Sequence, residues 1–381
     1  MKPDYEGNGI VNLMSSIIDA AGHKSPYEPL KGDALSNLSD SKNIVLIIID
    51  GLGYKYLKDK GRKTLLNRKL IDSMTSVFLP STGPAISTFF TGLAPQQHAV
   101  TGWYVHLQEF GLVAKFLPFT TTVDWNVLRT DISNMLDVTP LFSKIQREYH
   151  VVLDESISDS VFTRFMTGGA IRHGYAGLDD FFIKMKSAVL KPKERSYTYA
   201  YWAELDAIGH MLGMQSQETT EHLNDFDRKL EGFIEAIQGT DTTLIITADH
   251  GFNDVKPHNN IYSGNHPKLT ECLTLPLCGD SRTAFCYVKP SMVKQFEKYV
   301  TETLGNVCDM FRSEELVNDA WFGLMKPSSK LRGRIGDYTL IFKDGYGALN
   351  SFPGISPPVL RGHHGGITDD EMKVPLVVID C

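Results

Sequence analysis

Cysteine is scarce in this chain and badly spaced for cross-linking. Its 381 residues hold five cysteines (Cys272, Cys278, Cys286, Cys308 and Cys381), an odd number with no Cys-x-x-Cys pair. That argues against both a disulfide framework and a thiolate zinc site. Long apolar runs are missing too. Nothing approaches the roughly 18 residues of a membrane-spanning helix, and the longest run, Ile44–Ile49, is strand-sized. There is no excess of positive charge: 38 Lys and Arg face 45 Asp and Glu, for a net charge of −7. A nucleic-acid backbone is therefore not the expected partner. A small polyanion stays open, because bound cations invert local charge. Between Met1 and Pro26 no basic segment precedes an apolar core. No secretory signal is read, and the cytoplasm is the expected compartment.

What the chain does have is alternation. The run Asn43 to Ile49, rich in isoleucine, ends in Asp50-Gly51 and suits a parallel strand covered on both faces. Further strands are expected at Tyr149–Leu153, Ser196–Trp202, Thr242–Thr247 and Val374–Ile379. Helices are expected from Thr139-Pro140, over Leu178–Leu190, and over Thr220–Ile237, where Leu223, Phe226, Leu230, Phe233, Ile234 and Ile237 share a face. An amphipathic stretch, Ile10 to Ala21, stands in an otherwise polar N-terminus. The pattern predicts an α/β fold with a mostly parallel central sheet flanked by helices. Residues 255–360 read differently, with a strand at Arg282–Val288, a helix at Ser291–Leu304 and a strand at Asp337–Phe342. They are expected to form a smaller inserted α+β subdomain, leaving 1–254 and 361–381 as the core.

One stretch organises the rest: Phe78-Leu79-Pro80-Ser81-Thr82-Gly83-Pro84, followed by a helical stripe of Ile86, Phe89, Phe90 and Leu93. Pro84 is tolerated in a first turn, so Thr82 falls at or just before a helix N-terminus, where negative charge is favoured. Thr82 has two readings here, an N-cap or a nucleophile.

Four short motifs close predicted strands or the turns after them: Asp50-Gly51, Asp206-Ala-Ile-Gly-His210, Asp249-His250-Gly251 and Gly362-His363-His364-Gly365-Gly366. Asp and His at i and i+4 share a helix face and can converge on one ion. A mixed oxygen and nitrogen set suits Zn²⁺ and, less well, Mn²⁺ or Mg²⁺. Each motif alone is weak, and lone histidines such as His98, His150 and His258 read as surface or core. Together they point to a metal centre.

These pieces, with Thr91-Gly92 and Glu204-Leu205, resemble the alkaline phosphatase superfamily, most closely its type I phosphodiesterase/nucleotide pyrophosphatase branch. The resemblance runs from about Asn43 to the C-terminus, with gaps in the insertion. It implies an alkaline-phosphatase-like fold and two divalent ions, expected to be zinc. Asp50, Asp249, His250 and the nucleophile Thr82 would hold one ion, and Asp206, His210 and His364 the other, with His363 structural or supporting. It further implies hydrolysis of a small-molecule phosphodiester or nucleotide through a phosphothreonine. The Gly83 amide would hydrogen-bond a non-bridging oxygen.

Two departures stand out: Ala85 occupies a position where such enzymes often carry an asparagine, and no arginine follows Thr82 to grip a monoester dianion. Diesters or pyrophosphates are therefore expected ahead of phosphomonoesters or phosphonates, with an inactive binding homologue last. Trp103 and Tyr104 are candidates for stacking on a nucleobase, or are core. Arg282 reads as a surface ion pair or a leaving-group contact. Substrate choice is expected to rest with residues 101–135 and 255–360.

Overall fold

The computed structural model describes residues 1–352 and 359–381. A stretch of the expected insertion, residues 353–358, thus lies outside the described residues. A seven-stranded sheet forms the centre, in the order Leu70–Thr75, Lys373–Asp380, Thr242–Thr247, Asn43–Ile49, Ser196–Trp202, Glu148–Asp154, Ile171–Tyr175. The five strands from Thr242–Thr247 to Ile171–Tyr175 run parallel. Lys373–Asp380 joins them antiparallel. Every residue of Asn43–Ile49 is buried, as expected of a β-branched run with helices on both faces. The fold is the mostly parallel α/β sheet that the alternation predicts.

Register decides where the chemistry falls. Ile49 pairs with Trp202 on one side, and Ile48 with Thr247 on the other. The three strands therefore end level, and the segments that leave them meet at one edge: Asp50, then Asp249-His250, then the helix Glu204–Leu212. Open α/β sheets place ligands at this carboxyl edge.

The helices behave largely as their patterns predict. Gly177–Leu190 packs on Gln217–Ala236, which buries Leu223, Phe226, Leu230 and Phe233. Ile10–Ala20 is buried almost throughout and packs against Thr82–Thr91. Ser81 is the N-cap residue and Thr82 the first helical one, while Gly92 ends the helix in the left-handed conformation. The helix expected from Thr139-Pro140 is only a single 3-10 turn, Leu141–Ser143. Too few residues separate it from the strand at Glu148 for an α-helix to propagate. The expected Ser291–Leu304 helix is α over Val293–Tyr299 and continues as a π turn over Val300–Leu304. No helix among the described residues is long and apolar enough to cross a membrane.

A second, antiparallel seven-stranded sheet caps the carboxyl edge. Its order is Cys308–Arg312, Tyr338–Phe342, Thr283–Cys286, Cys278–Asp280, Tyr104–Leu107, Leu112–Lys115, Thr120–Thr121. The expected insertion supplies four of these strands; the other three come from residues 104–121, ahead of it. Close backbone approach seats this cap on the helix Thr82–Thr91. A Cβ on Gly83 would lie 2.6 Å from the Gly102 carbonyl oxygen, and one on Gly102 would lie 2.6 Å from the Gly279 Cα. Only glycine lets three backbones stack there.

Arg282 corrects its sequence reading. It is not on the surface and contacts no ligand cavity. Both it and Glu371 are fully buried, joined by two 3.1 Å bonds from Nε and one terminal nitrogen to the two carboxylate oxygens. The Gly366 N–H and the Thr368 hydroxyl donate to the same carboxylate. The pair thereby ties the cap to the loop that carries His364. Breaking a buried pair from one side strands a charge. Arg282→Met is therefore expected to lower unfolding free energy by about 3–5 kcal/mol, read from the denaturant midpoint. An unchanged midpoint would show that the pair does not hold the cap.

Candidate active site

The site is built at the level carboxyl edge. Asp50 follows its strand directly and is 2% exposed. The Tyr201 hydroxyl donates to its Oδ2, while Oδ1 has no hydrogen-bond partner among the described residues. Asp249 is fully buried; its Oδ1 accepts the Gly51 and His250 N–H groups at 3.1 and 3.0 Å, and its Oδ2 is left bare. The His250 Nδ1 lies 3.0 Å from the Gly251 carbonyl. Donating its proton there leaves Nε2 with a free lone pair. That Nε2 lies 3.3 Å from Asp50 Oδ1, 3.3 Å from Asp249 Oδ2 and 3.2 Å from Thr82 Oγ1.

Asp206 and His210 share one face of the helix Glu204–Leu212, with Nε2 of His210 3.5 Å from Oδ2 of Asp206. His210 is oriented as His250 is: its Nδ1 lies 2.8 Å from the Gly362 carbonyl. The His364 Nε2 is 3.9 Å from Asp206 Oδ1, and its ring stacks on that of His250 at 3.8 Å between centroids. His363 turns away to Ser281 Oγ at 3.0 Å. Thr82, Asp50, Asp206, His210, Asp249, His250 and His364 thus meet in one place. Ala85, fully buried, is not among the described residues lining the cavity. His98 is a core histidine, bonded to Thr88 Oγ1 at 3.2 Å.

Electrostatically the cluster is unbalanced. Burial, followed by the neighbouring aspartates, raises the Asp50 carboxyl well above its usual range. Burial likewise pushes Asp206 up to about 7. Burial and the adjacent imidazoles hold His364 far below the usual histidine range, so its ring is neutral and able to ligate. Bare carboxylate oxygens beside imidazole nitrogens form a cation-binding set, since an unpaired buried carboxylate is otherwise costly. Two triplets of ligand atoms lie within 4.8 Å of one another: Asp50, Asp249 and His250, and Asp206, His250 and His364. The first is one expected group. In the second, His250 stands where His210 was expected.

Sequence reasoning missed Asp280. It closes the short cap strand Cys278–Asp280, accepts the Ser81 hydroxyl, and lies 3.8 Å from His364 Nδ1. Standing alone in a cap segment, it carries no motif. Above the cluster opens a cavity of ≈ 490 Å³ bordered by Thr82, Asp206, His210, Asp280, Trp103 and Tyr104. A mostly apolar cavity of ≈ 210 Å³ lies on the other side of Thr82 and Trp103, against Ile86, Phe90, Leu117 and Phe162.

The family model described as type I phosphodiesterase / nucleotide pyrophosphatase matches residues 44–366. The chain belongs to this family. It is a hydrolase acting on phosphoric ester or pyrophosphate bonds. Among curated proteins none matches the sequence significantly. Solved structures match in fold. Murine ectonucleotide pyrophosphatase/phosphodiesterase 5 is 18% identical, with a TM-score of 0.66 and 87% of each chain covered. The human protein is 20% identical at the same TM-score, covering 88% of this chain and 87% of its own. An inactive threonine-to-alanine variant of the murine protein, solved in complex with AMP, gives 18% and 0.65, with 87% of each chain covered.

Metal removal tests the cluster. A raised carboxyl holds its proton more tightly in the folded chain than in the unfolded one. Without a cation, the stability that Asp206 contributes at low pH is therefore lost as pH rises through about 7. A bound cation offsets that loss. Chelator-treated protein is expected to be stabilised by added Zn²⁺, by about 2.7 kcal/mol at a hundredfold excess over Kd, and at a fixed zinc concentration the rise in melting temperature is expected to be larger at about pH 8 than at about pH 6. No shift at either pH would remove the metal reading.

Proposed function

We propose that this enzyme cleaves a phosphodiester or pyrophosphate bond in a small molecule of the nucleotide class, using Thr82 as nucleophile. The observation that carries the reading is the position of the Thr82 hydroxyl. It stands at the start of a buried helix, 3.2 Å from His250 Nε2, and borders the cavity that Asp206, His210 and His364 also line. In this reading two divalent cations, zinc by the donor chemistry, belong to Asp50, Asp249, His250 and Thr82, and to Asp206, His210 and His364. Such ions lower the pKa of a hydroxyl and neutralise phosphoryl oxygens.

The chain's own groups then account for the steps. Thr82 Oγ1 attacks phosphorus; the bond to the leaving oxygen breaks, and that oxygen departs with the electron pair and takes up a proton. Water next cleaves the phosphothreonine, which regenerates the Thr82 hydroxyl and releases the second product. The Gly83 N–H, unpaired by its place in the first helical turn, donates to a non-bridging oxygen as charge develops. Tyr201 and the Gly51 amide orient Asp50 and Asp249. The Gly251 and Gly362 carbonyls hold His250 and His210 with Nε2 toward the centre.

Diesters are favoured over monoesters because the described lining of the larger cavity holds no arginine to grip a dianion. The AMP bound by the murine relative supports the nucleotide class. All five cysteines are free, which suits the reducing cytoplasm. Residues 1–254 with 361–381 serve as the catalytic core, and 255–360, extended by the strands of 104–121, as the selective cap.

Hydrolysis of bis-p-nitrophenyl phosphate and p-nitrophenyl phosphate by the zinc-loaded protein tests this. The diester is expected to be preferred, and Thr82→Ala to lose at least about a thousandfold in kcat/KM. A monoester preference would overturn the substrate class. Full activity in Thr82→Ala would overturn the nucleophile.

A further inference from the structure

The larger cavity contains one feature that hydrolysis at Thr82 does not use. Lys115 ends the cap strand Leu112–Lys115 and is only 4% exposed, yet it lines the cavity. Among the described residues it is the cavity's only lysine or arginine. Its Nζ sits 3.1 Å over the centroid of the Trp125 ring, and among the described residues it makes no hydrogen bond or ion pair. An aromatic face attracts the cation but accepts none of its N–H groups as an oxygen would. Burial pushes its pKa down to about 8, and no charge among the described residues offsets this. An ammonium whose only protein partner among the described residues is a ring face is left to the solvent of the cavity unless an anion joins it.

Its place in the sheet is equally specific. Gly279, Tyr104 and Lys115 are successive partners across three antiparallel strands. Side chains directly opposite one another share a face, and both Tyr104 and Lys115 line the cavity. The Lys115 backbone stands two strand spacings, about 10 Å, from Gly279, whose neighbour Asp280 lies against His364. The lysine therefore borders, from the cap, the same cavity that the cluster borders from the core.

We propose that the substrate carries a second anionic group, a carboxylate or a phosphate, which the cavity seats on Lys115 beside Trp125. This rests on the reading of the cluster as the phosphorus-binding centre.

The test needs no turnover. Zinc-loaded protein is titrated calorimetrically with propylphosphonate, carboxyethylphosphonate and ethylene diphosphonate. The wild type is expected to bind at least one of the two dianchored ligands about tenfold or more tighter than propylphosphonate. Which of the two is preferred identifies the anion. That ratio is expected to fall to about one in Lys115→Met and Lys115→Gln and to survive in part in Lys115→Arg, with circular dichroism confirming that each is folded. A wild-type ratio near one, or a ratio that persists in Lys115→Met and Lys115→Gln, overturns the proposal. If bis-p-nitrophenyl phosphate is not cleaved while the ratio behaves as expected, the diesterase reading fails and the anion subsite stands. Cleavage without the ratio removes the subsite and leaves the diesterase reading intact.

Discussion

Mutual repulsion of buried carboxylates is the constraint on which the rest of this structure depends. Asp50 and Asp249 are almost completely out of water, Asp206 is nearly so, and a fourth aspartate, Asp280, closes the ring from the cap. In a low-dielectric site such charges oppose one another by several kcal/mol. Their ordinary remedies are partly spent elsewhere: Tyr201, Gly51 and Ser81 each satisfy one oxygen, and others stay bare. The fold tolerates this because level strand ends, held by a fully buried parallel sheet, leave the side chains no room to separate. Imidazoles face the bare oxygens. A site of this form is stabilised by a cation and strained without one.

The same constraint explains why the cap is attached so firmly. The candidate metal ligands come from the core edge and from the loop around His364, and that loop is held in turn by Glu371 and Arg282. If the cap swung freely, Asp280 and the loop would move relative to Asp206. The three-glycine stack at 83, 102 and 279 anchors the cap at the start of the helix Thr82–Thr91, and the buried ion pair anchors it at the loop of Gly366. Ligand-bearing loops gain positional precision from rigid neighbours.

Legibility in the sequence followed the range of the interaction. Asp50 and Asp249 could be read because each follows a buried, β-branched strand, and Asp206 with His210 because their four-residue spacing is local. Thr82 could be placed at a helix start from Pro84 and the apolar stripe alone. What could not be read depends on pairing between distant segments. Tyr104 lies beside Gly279 only in the folded chain, so although residues 101–135 were expected to share in substrate choice, nothing local marks Lys115 as a wall of the cavity. Arg282 resembles a surface residue until Glu371, 89 positions onward, is seen to complete it. The sharing of His250 between two ligand triplets is likewise a matter of side-chain geometry that spacing cannot convey.

Thr82 separates two different environments, and this bears on how such a site evolves. Toward the larger cavity lie aspartates, imidazoles and one lysine; toward the smaller lie Ile86, Phe90, Leu117 and Phe162. Among the described residues the apolar side offers Thr82 no charged group, so the charges around it lie toward the larger cavity. Both requirements fall on core elements, the helix Thr82–Thr91 and the strand ends, and leave the cap free to vary. Chains only 18–20% identical can then share this fold at a TM-score of 0.66. The core is confined by the carboxylates it must hold together, whereas a cap strand needs only to keep its register while its cavity-facing residues change. Substrate choice can therefore diverge without disturbing the chemistry.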